Sequence, residues 1–211
     1  MMNKAASFLL PLAFLALSAC GSSGDSGPVA PEAMGSLAGT RLGGAFTLID
    51  QNGKPRSWDS FRGSYRLVYF GYTYCPDVCP IDLQRIAQGF RLFEKRAPQR
   101  AARVQPIFIT LDPQRDRPAV VRDYVAAFHP RMIGLTGTPE QIKAVAKTFA
   151  VVYMKEPGTG PSDYLISHSR TPYLFGPNGE PVAIMPVDDP VTETAEGTPE
   201  EIAAALDRWV K

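Results

Sequence analysis

The chain has 211 residues, 45% of them hydrophobic, and carries 22 Lys and Arg against 21 Asp and Glu, a formal net charge of +1 at pH 7. That balance offers no electrostatic footprint for nucleic acid and none for an acidic partner. Its three cysteines, one of them in a leader, leave a single close thiol pair. Such a pair marks a redox site or a soft-metal site, because a structural disulfide across so short a loop gains little.

Residues 1–20 have the layout of a secretory signal. Lys4 is the positive charge, Ala5 to Leu17 is apolar, and Leu17-Ser18-Ala19-Cys20 ends in small residues. The apolar run is too short and too early for a membrane span. The Leu-Ser-Ala-Cys ending resembles a bacterial lipoprotein box, which implies lipidation of Cys20 and a membrane anchor. The expected location is a bacterial cell envelope, with the domain in the periplasm or another extracytoplasmic, oxidising space. Residues 21–41 repeat Gly, Ser, Pro and Ala without a helical or strand period, the composition of a flexible tether. Loss of residues 1–19 removes only Lys4 among charged residues and leaves 21 basic and 21 acidic side chains.

The segment 42–211 has the length of one domain with a full core. Phe46 to Asp50 is apolar and precedes Gln51-Asn52-Gly53-Lys54, a hairpin-type turn. Tyr65 to Tyr72 reads as a buried central strand. After the cysteine loop, Leu83, Ile86, Ala87, Phe90 and Phe93 share one face of a helix. Val104 to Leu111 is a second buried strand, and a helix with Val121, Tyr124, Val125 and Phe128 as its stripe ends near His129-Pro130. Thr138-Pro139-Glu140-Gln141 and Thr198-Pro199-Glu200-Glu201 are capping boxes with proline at the first helical position. Strands are expected at Val151–Met154, Thr171–Phe175 and Val182–Val187, the last two flanking the turn Gly176-Pro177-Asn178-Gly179. The order predicts an α/β fold with a mixed central sheet. It fits a thioredoxin-like fold with an N-terminal β-hairpin and an extra helix.

The loop Tyr74-Cys75-Pro76-Asp77-Val78-Cys79-Pro80 carries the chemistry. A helix starting at Cys75 would bury Pro80 inside it, so the expected start is Cys79 as N-cap with Pro80 at N1. Both thiols then lie near unpaired backbone N–H groups at the positive end of the helix, which favours thiolates. Three residues between the sulfurs allow either a disulfide or an ion held between two thiolates. Thiolates suit Cu(I), zinc or iron–sulfur sites, and the pair alone does not choose among them.

Only two histidines are present. His168 falls on an expected loop just before a strand, and in a thioredoxin-like fold that loop lies beside the cysteine helix. His168 is therefore a candidate third ligand, and a Cys₂His set without a fourth protein ligand favours copper over structural zinc. His129, at a helix end, is expected to be a partner of the helix dipole. Met154 and Met185 are soft donors in apolar strands, where methionine is usually core.

Phe70-Gly71-Tyr72-Thr73-Tyr74-Cys75-Pro76-Asp77-Val78-Cys79-Pro80, Thr110-Leu111-Asp112-Pro113-Gln114-Arg115-Asp116 and Asp163-Tyr164 through His168-Ser169 together resemble the three signatures of the Sco/SenC family. Members are thioredoxin-fold, membrane-tethered proteins that help assemble the copper centre of cytochrome c oxidase. The resemblance covers roughly residues 42–210. It implies one copper ion, as Cu(I) and also Cu(II), on Cys75, Cys79 and His168. It implies as partner the copper-bearing oxidase subunit or another periplasmic copper chaperone. Thr73, Tyr74, Asp77 and Val78 would line the docking face. Asp112 and Asp116 match a family motif, and their ordinary reading is turn and helix-cap chemistry at the helix near Pro118. Pro172 departs from the pattern, since the family more often has an apolar residue there. The alternative function is a membrane-tethered thiol–disulfide oxidoreductase that uses Cys75 and Cys79 as a redox pair on the recipient's cysteines. A peroxiredoxin would need Thr/Ser-x-x-Cys, and Thr73 is only two residues before Cys75.

Overall fold

The structure, a computed structural model, describes residues 2, 37–160, 163–188 and 196–211. The expected lipidation site Cys20, the rest of the leader and residues 21–36 of the tether lie outside the described residues. The described residues from 37 onward form one compact unit. Leu37 already docks on it, donating its N–H to the Val182 carbonyl at 2.9 Å.

In chain order the elements are Thr47–Asp50 (β1), Pro55–Ser57 (β2), a 3₁₀ turn over Trp58–Phe61, Tyr65–Gly71 (β3), Val78–Arg96 (α1), Pro98–Ala101 (α2), Val104–Thr110 (β4) and Pro118–Phe128 (α3). Ile133–Thr136 (β5), Pro139–Thr148 (α4), Tyr153–Glu156 (β6), Leu165–His168 (β7), Tyr173–Phe175 (β8), Pro181–Ile184 (β9) and Pro199–Trp209 (α5) follow. Seven strands form one mixed sheet in the order β2-β1-β5-β4-β3-β8-β9. The strands β3, β4 and β5 are parallel, while the hairpins β1–β2 and β8–β9 close the edges antiparallel.

The central pair explains the sheet. All seven residues of β3 are buried, so helices must cover both faces. Alternation along β3 sends Tyr69 and Phe70 to opposite sides. Tyr69 meets α1, where its hydroxyl donates to Asp82 at 2.8 Å. Phe70 meets Phe149 at the end of α4, with ring centroids 5.4 Å apart. The ring of Phe108 on β4 packs on Tyr124 of α3 at 5.4 Å. Helix α5 packs on α1 so closely that a Cβ on Gly89 would stand 2.7 Å from the Ile202 side chain. Both predicted capping boxes are present, at Thr138 with Gln141 and at Thr198 with Glu201.

Four details differ from the sequence expectation. Helix α1 starts at Val78 with Asp77 as N-cap, so Cys79 and Pro80 stand in its first turn. The first turn's N–H groups have no intrahelical acceptor, so the missing N–H of Pro80 costs nothing there. Strand β5, which was not expected, fills the gap between β1 and β4. The strand expected at 151–154 lies at 153–156, and His168 is the last residue of β7 rather than a loop residue. Among the described residues these two strands pair only with each other, as a separate ribbon in which Tyr153 faces His168. Among the described residues no helix is long and apolar enough to cross a membrane.

Candidate metal centre

The centre lies where β3 ends and α1 begins, beside the end of β7. After Gly71 the chain turns, and the Cys75 N–H donates to the Tyr72 carbonyl at 3.3 Å. The Cys79 N–H then donates to Cys75 Sγ at 3.4 Å. Cys75 sulfur thus takes the place of a capping side chain at a helix whose N-cap residue, Asp77, makes no side-chain cap. Cys75 is half-buried and Cys79 has 0% exposure; both are free thiols. A Cβ on Gly71 would lie 3.1 Å from Cys79 Sγ, so glycine leaves the room this sulfur occupies.

The two thiols differ in acidity. The hydrogen bond from the Cys79 thiol holds the Cys75 pKa down to about 3, aided by His168 and by the backbone N–H groups of Cys79 and Asp77, against the opposing effect of burial. The shared proton and then burial push the Cys79 thiol up. Cys75 is the thiolate of the pair and Cys79 its proton donor.

His168 arrives from the ribbon and places Nε2 3.1 Å from Cys79 Sγ. Its Nδ1 lies 2.9 Å from the Ser169 carbonyl, which can only accept, so Nδ1 carries the proton. Nε2 is then the nitrogen turned toward the cysteines, the orientation a metal-ligating histidine needs. Tyr72 and Tyr69 stand edge-on to the imidazole, at 6.0 and 6.5 Å between centroids.

The structure therefore brings together Cys75, Cys79 and His168. Among the described residues no three His, Cys, Asp or Glu side chains already stand as a metal-holding cluster; Cys79 and His168 stand at contact distance, 3.1 Å apart. The donor set itself, two soft sulfurs and an imidazole with its second nitrogen already satisfied, fits a soft ion.

Other candidates fall elsewhere. Met185 is core. Met154 is 62% exposed, because it alternates with Tyr153 and projects from the other side of the ribbon. His129 is buried, with Nε2 3.2 Å from Glu94 and Nδ1 accepting from the Arg131 N–H. Burial lowers its pKa, so it is a neutral bridging residue rather than a charged partner of the helix dipole. Asp116 does not cap α3, whose N-cap is Arg117. Its carboxylate turns inward to Thr110 Oγ1 at 2.5 Å and to Thr73. Burial raises its pKa against the pull of those donors. Asp112 does start a turn, and its carboxylate binds Arg115 and the Tyr164 hydroxyl. Tyr74 is 57% exposed and Asp77 is exposed, whereas Thr73 spends its hydroxyl on Asp116. Among the described residues no peptide bond is cis, so Thr171–Pro172 is trans.

Sequence reasoning missed Asp82 and Arg170, which pair behind the centre. The available signal was a carboxylate on the apolar stripe of α1, between Cys79 and Ile86.

The SCO1/SenC profile matches residues 35–210. A mitochondrial SCO2 homologue from mouse is 43% identical over 136 residues, 64% of this chain and 52% of that protein. The chain thus spans about half the length of that relative. The copper-bound structure of ScoI from Bradyrhizobium japonicum is 38% identical, with a TM-score of 0.67 over 80% of this chain and 99% of that one. The thioredoxin domain of a thiol–disulfide oxidoreductase from Bacteroides vulgatus, 18% identical with a TM-score of 0.55, covers 83% of this chain and 100% of its own, and shares the fold alone. The fold is thioredoxin-like, and with the profile spanning the domain and a close copper-bound structural neighbour, the chain belongs to the SCO1/SenC family.

Proposed function

We propose that this protein is a copper chaperone that carries one copper ion on Cys75, Cys79 and His168 and delivers it to the copper-bearing subunit of cytochrome c oxidase. The observation that carries the reading is the convergence of a lowered-pKa thiol, a buried thiol and an oriented imidazole within one contact shell, in a chain whose structural relatives hold copper. Copper is the cargo. At bond lengths of about 2.3 Å to sulfur and 2.0 Å to nitrogen, as for zinc, sulfur and nitrogen stand about 3.5–3.7 Å apart at tetrahedral to trigonal angles. The 3.1 Å contact between Cys79 and His168 opens by roughly half an ångström to admit the ion. Cys79 gives up its proton as the metal binds. Half-buried Cys75 is the donor a recipient thiolate reaches first, so it leads the ligand exchange. A lipid anchor at Cys20 would hold the domain to a bacterial membrane while this happens.

The acidity difference also favours a second reading, thiol–disulfide exchange. Cys75 thiolate attacks a partner disulfide, forming a mixed disulfide and releasing one partner thiolate. Cys79, on losing its proton, attacks Cys75 Sγ and releases the second, leaving this pair oxidised and the partner reduced.

The test is copper stoichiometry and spectra of the reduced protein beside Cys75→Ala, Cys79→Ala and His168→Ala. One copper per chain, with a Cu(II)–thiolate band weakened or lost in each variant, is expected. No tight copper, with rapid exchange against a model disulfide that His168→Ala leaves intact, would replace the chaperone by the oxidoreductase.

A further inference from the structure

Resting on the copper reading of His168, the geometry of a third donor there depends on how its ribbon is positioned. Among the described residues the ribbon of β6 and β7 has no ladder to the main sheet, so the third donor stands on an element that the sheet does not register. Two residues beyond His168, Arg170 donates from Nε to Asp82 Oδ2 at 3.0 Å and from Nη2 to Oδ1 at 2.7 Å. Asp82 lies three residues beyond Cys79, on the same face of α1. Its side chain is 1% exposed, and that of Arg170 is 19% exposed. The Tyr69 hydroxyl donates to the same carboxylate, and the Tyr69 ring borders His168.

A carboxylate on the apolar stripe of a helix carries a desolvation cost that a leucine would not. Buried ion pairs are weak evidence for stability, and their best-attested use is to specify one arrangement among several. A two-point Arg–carboxylate fork suits that use, because it fixes direction as well as distance. One end of this fork moves with Cys79 and the other with His168. We propose that Asp82 and Arg170 are positioning residues: a clamp that sets the His168 imidazole against the cysteine helix, with Tyr69 steadying the carboxylate. Neither is a ligand. Their contribution is to spare copper the work of ordering the ribbon, as outer partners do at metal centres.

The experiment compares the reduced full-length protein with Arg170→Lys, Arg170→Leu, the double variant Asp82→Leu with Arg170→Leu, and His168→Ala. Two readouts are Cu(I) affinity by chelator competition and the histidine nitrogen coupling in the electron paramagnetic resonance spectrum of the Cu(II) form. Thermal unfolding follows each variant. Arg170→Leu is expected to weaken copper about 10–100-fold and to broaden or remove the nitrogen coupling. Arg170→Lys keeps the charge without the fork and is expected to recover only part. The double variant replaces the pair by apolar volume, and is expected to regain stability without regaining the nitrogen signature. Wild-type affinity and coupling in both Arg170→Lys and the double variant, with both lost in His168→Ala, would overturn the clamp. An unchanged signal in His168→Ala would instead overturn the ligand assignment.

Discussion

Asp116 binds Thr73 twice although 43 residues separate them: the Thr73 N–H donates to one carboxylate oxygen at 2.9 Å and its hydroxyl to the other at 2.5 Å. With Thr110 also donating, one buried carboxylate ties the chain leaving β3 to the chain leaving β4. Hydrogen bonds to a charged group contribute about 1.5–3 kcal/mol each, and members of one network do not add. Asp116→Ala is expected to cost about 3 kcal/mol in urea denaturation and to speed amide exchange at Thr73. A cost below about 1 kcal/mol would mean that water replaces the carboxylate without loss.

The thiol asymmetry predicts selective chemistry. Cys75 is accessible and ionised down to about pH 3, while Cys79 is fully buried and protonated. Of this pair, iodoacetamide is expected to label Cys75 alone, at a rate nearly flat from pH 8 to pH 5. An ordinary thiol with a pKa of about 8.5 would slow tenfold per unit over that range. Mass mapping of the labelled peptide and a pH–rate series check both parts, and a tenfold fall per unit would contradict the assignment of the thiolate.

His129 predicts a pH dependence of stability. Burial lowers its pKa below the ordinary 6.5, against Glu94, which favours the charged form, and with Arg91 and Arg131, which oppose it. The unfolded chain therefore takes up this proton first as pH falls. The contribution is fully present above pH 6.5 and is lost as pH drops through the folded-state pKa. His129→Gln is expected to be less stable at pH 7 but to show a shallower decline from pH 7 to pH 5 in urea midpoints.

Gly89 sets two magnitudes against each other. Alanine in a helix interior gains about 1 kcal/mol over glycine. Here its Cβ would stand 2.7 Å from the Ile202 side chain and 2.8 Å from the Pro199 carbonyl, and overpacking costs about 1–3 kcal/mol. The clash involves backbone and a branched side chain, so it wins. Gly89→Ala is expected to lower Tm, with α5 lifted from α1; a raised Tm would show that α5 yields freely.

Local features were legible in the sequence, and long-range ones were not. The boxes at Thr138 and Thr198 close within four residues, so spacing alone finds them. The strands β3 and β4 announce themselves as apolar runs because both their faces are covered. Strand β5, only four residues long, owes its existence to the slot between β1 and β4. The ribbon strands are equally short, which is why His168 read as a loop residue although its neighbourhood was anticipated. Asp116 looked like a cap because a cap is the nearest use for an aspartate before a helix. Its actual donors are Thr110 and distant Thr73, which no local pattern reveals. The pair Asp82 and Arg170 spans 88 positions and is invisible for the same reason.

Gly71 has a consequence of a different kind. A methyl group there would press on Cys79 sulfur at 3.1 Å, and on the rings of Tyr69 and Phe108 at 3.1 and 3.2 Å. At those distances the sulfur or the two rings must give by a few tenths of an ångström. Gly71→Ala would thus press on the Cys79 sulfur by steric volume alone, leaving every charge and every polar side chain as it was. Position 71 therefore sets, from inside the protein, how much room the buried sulfur has.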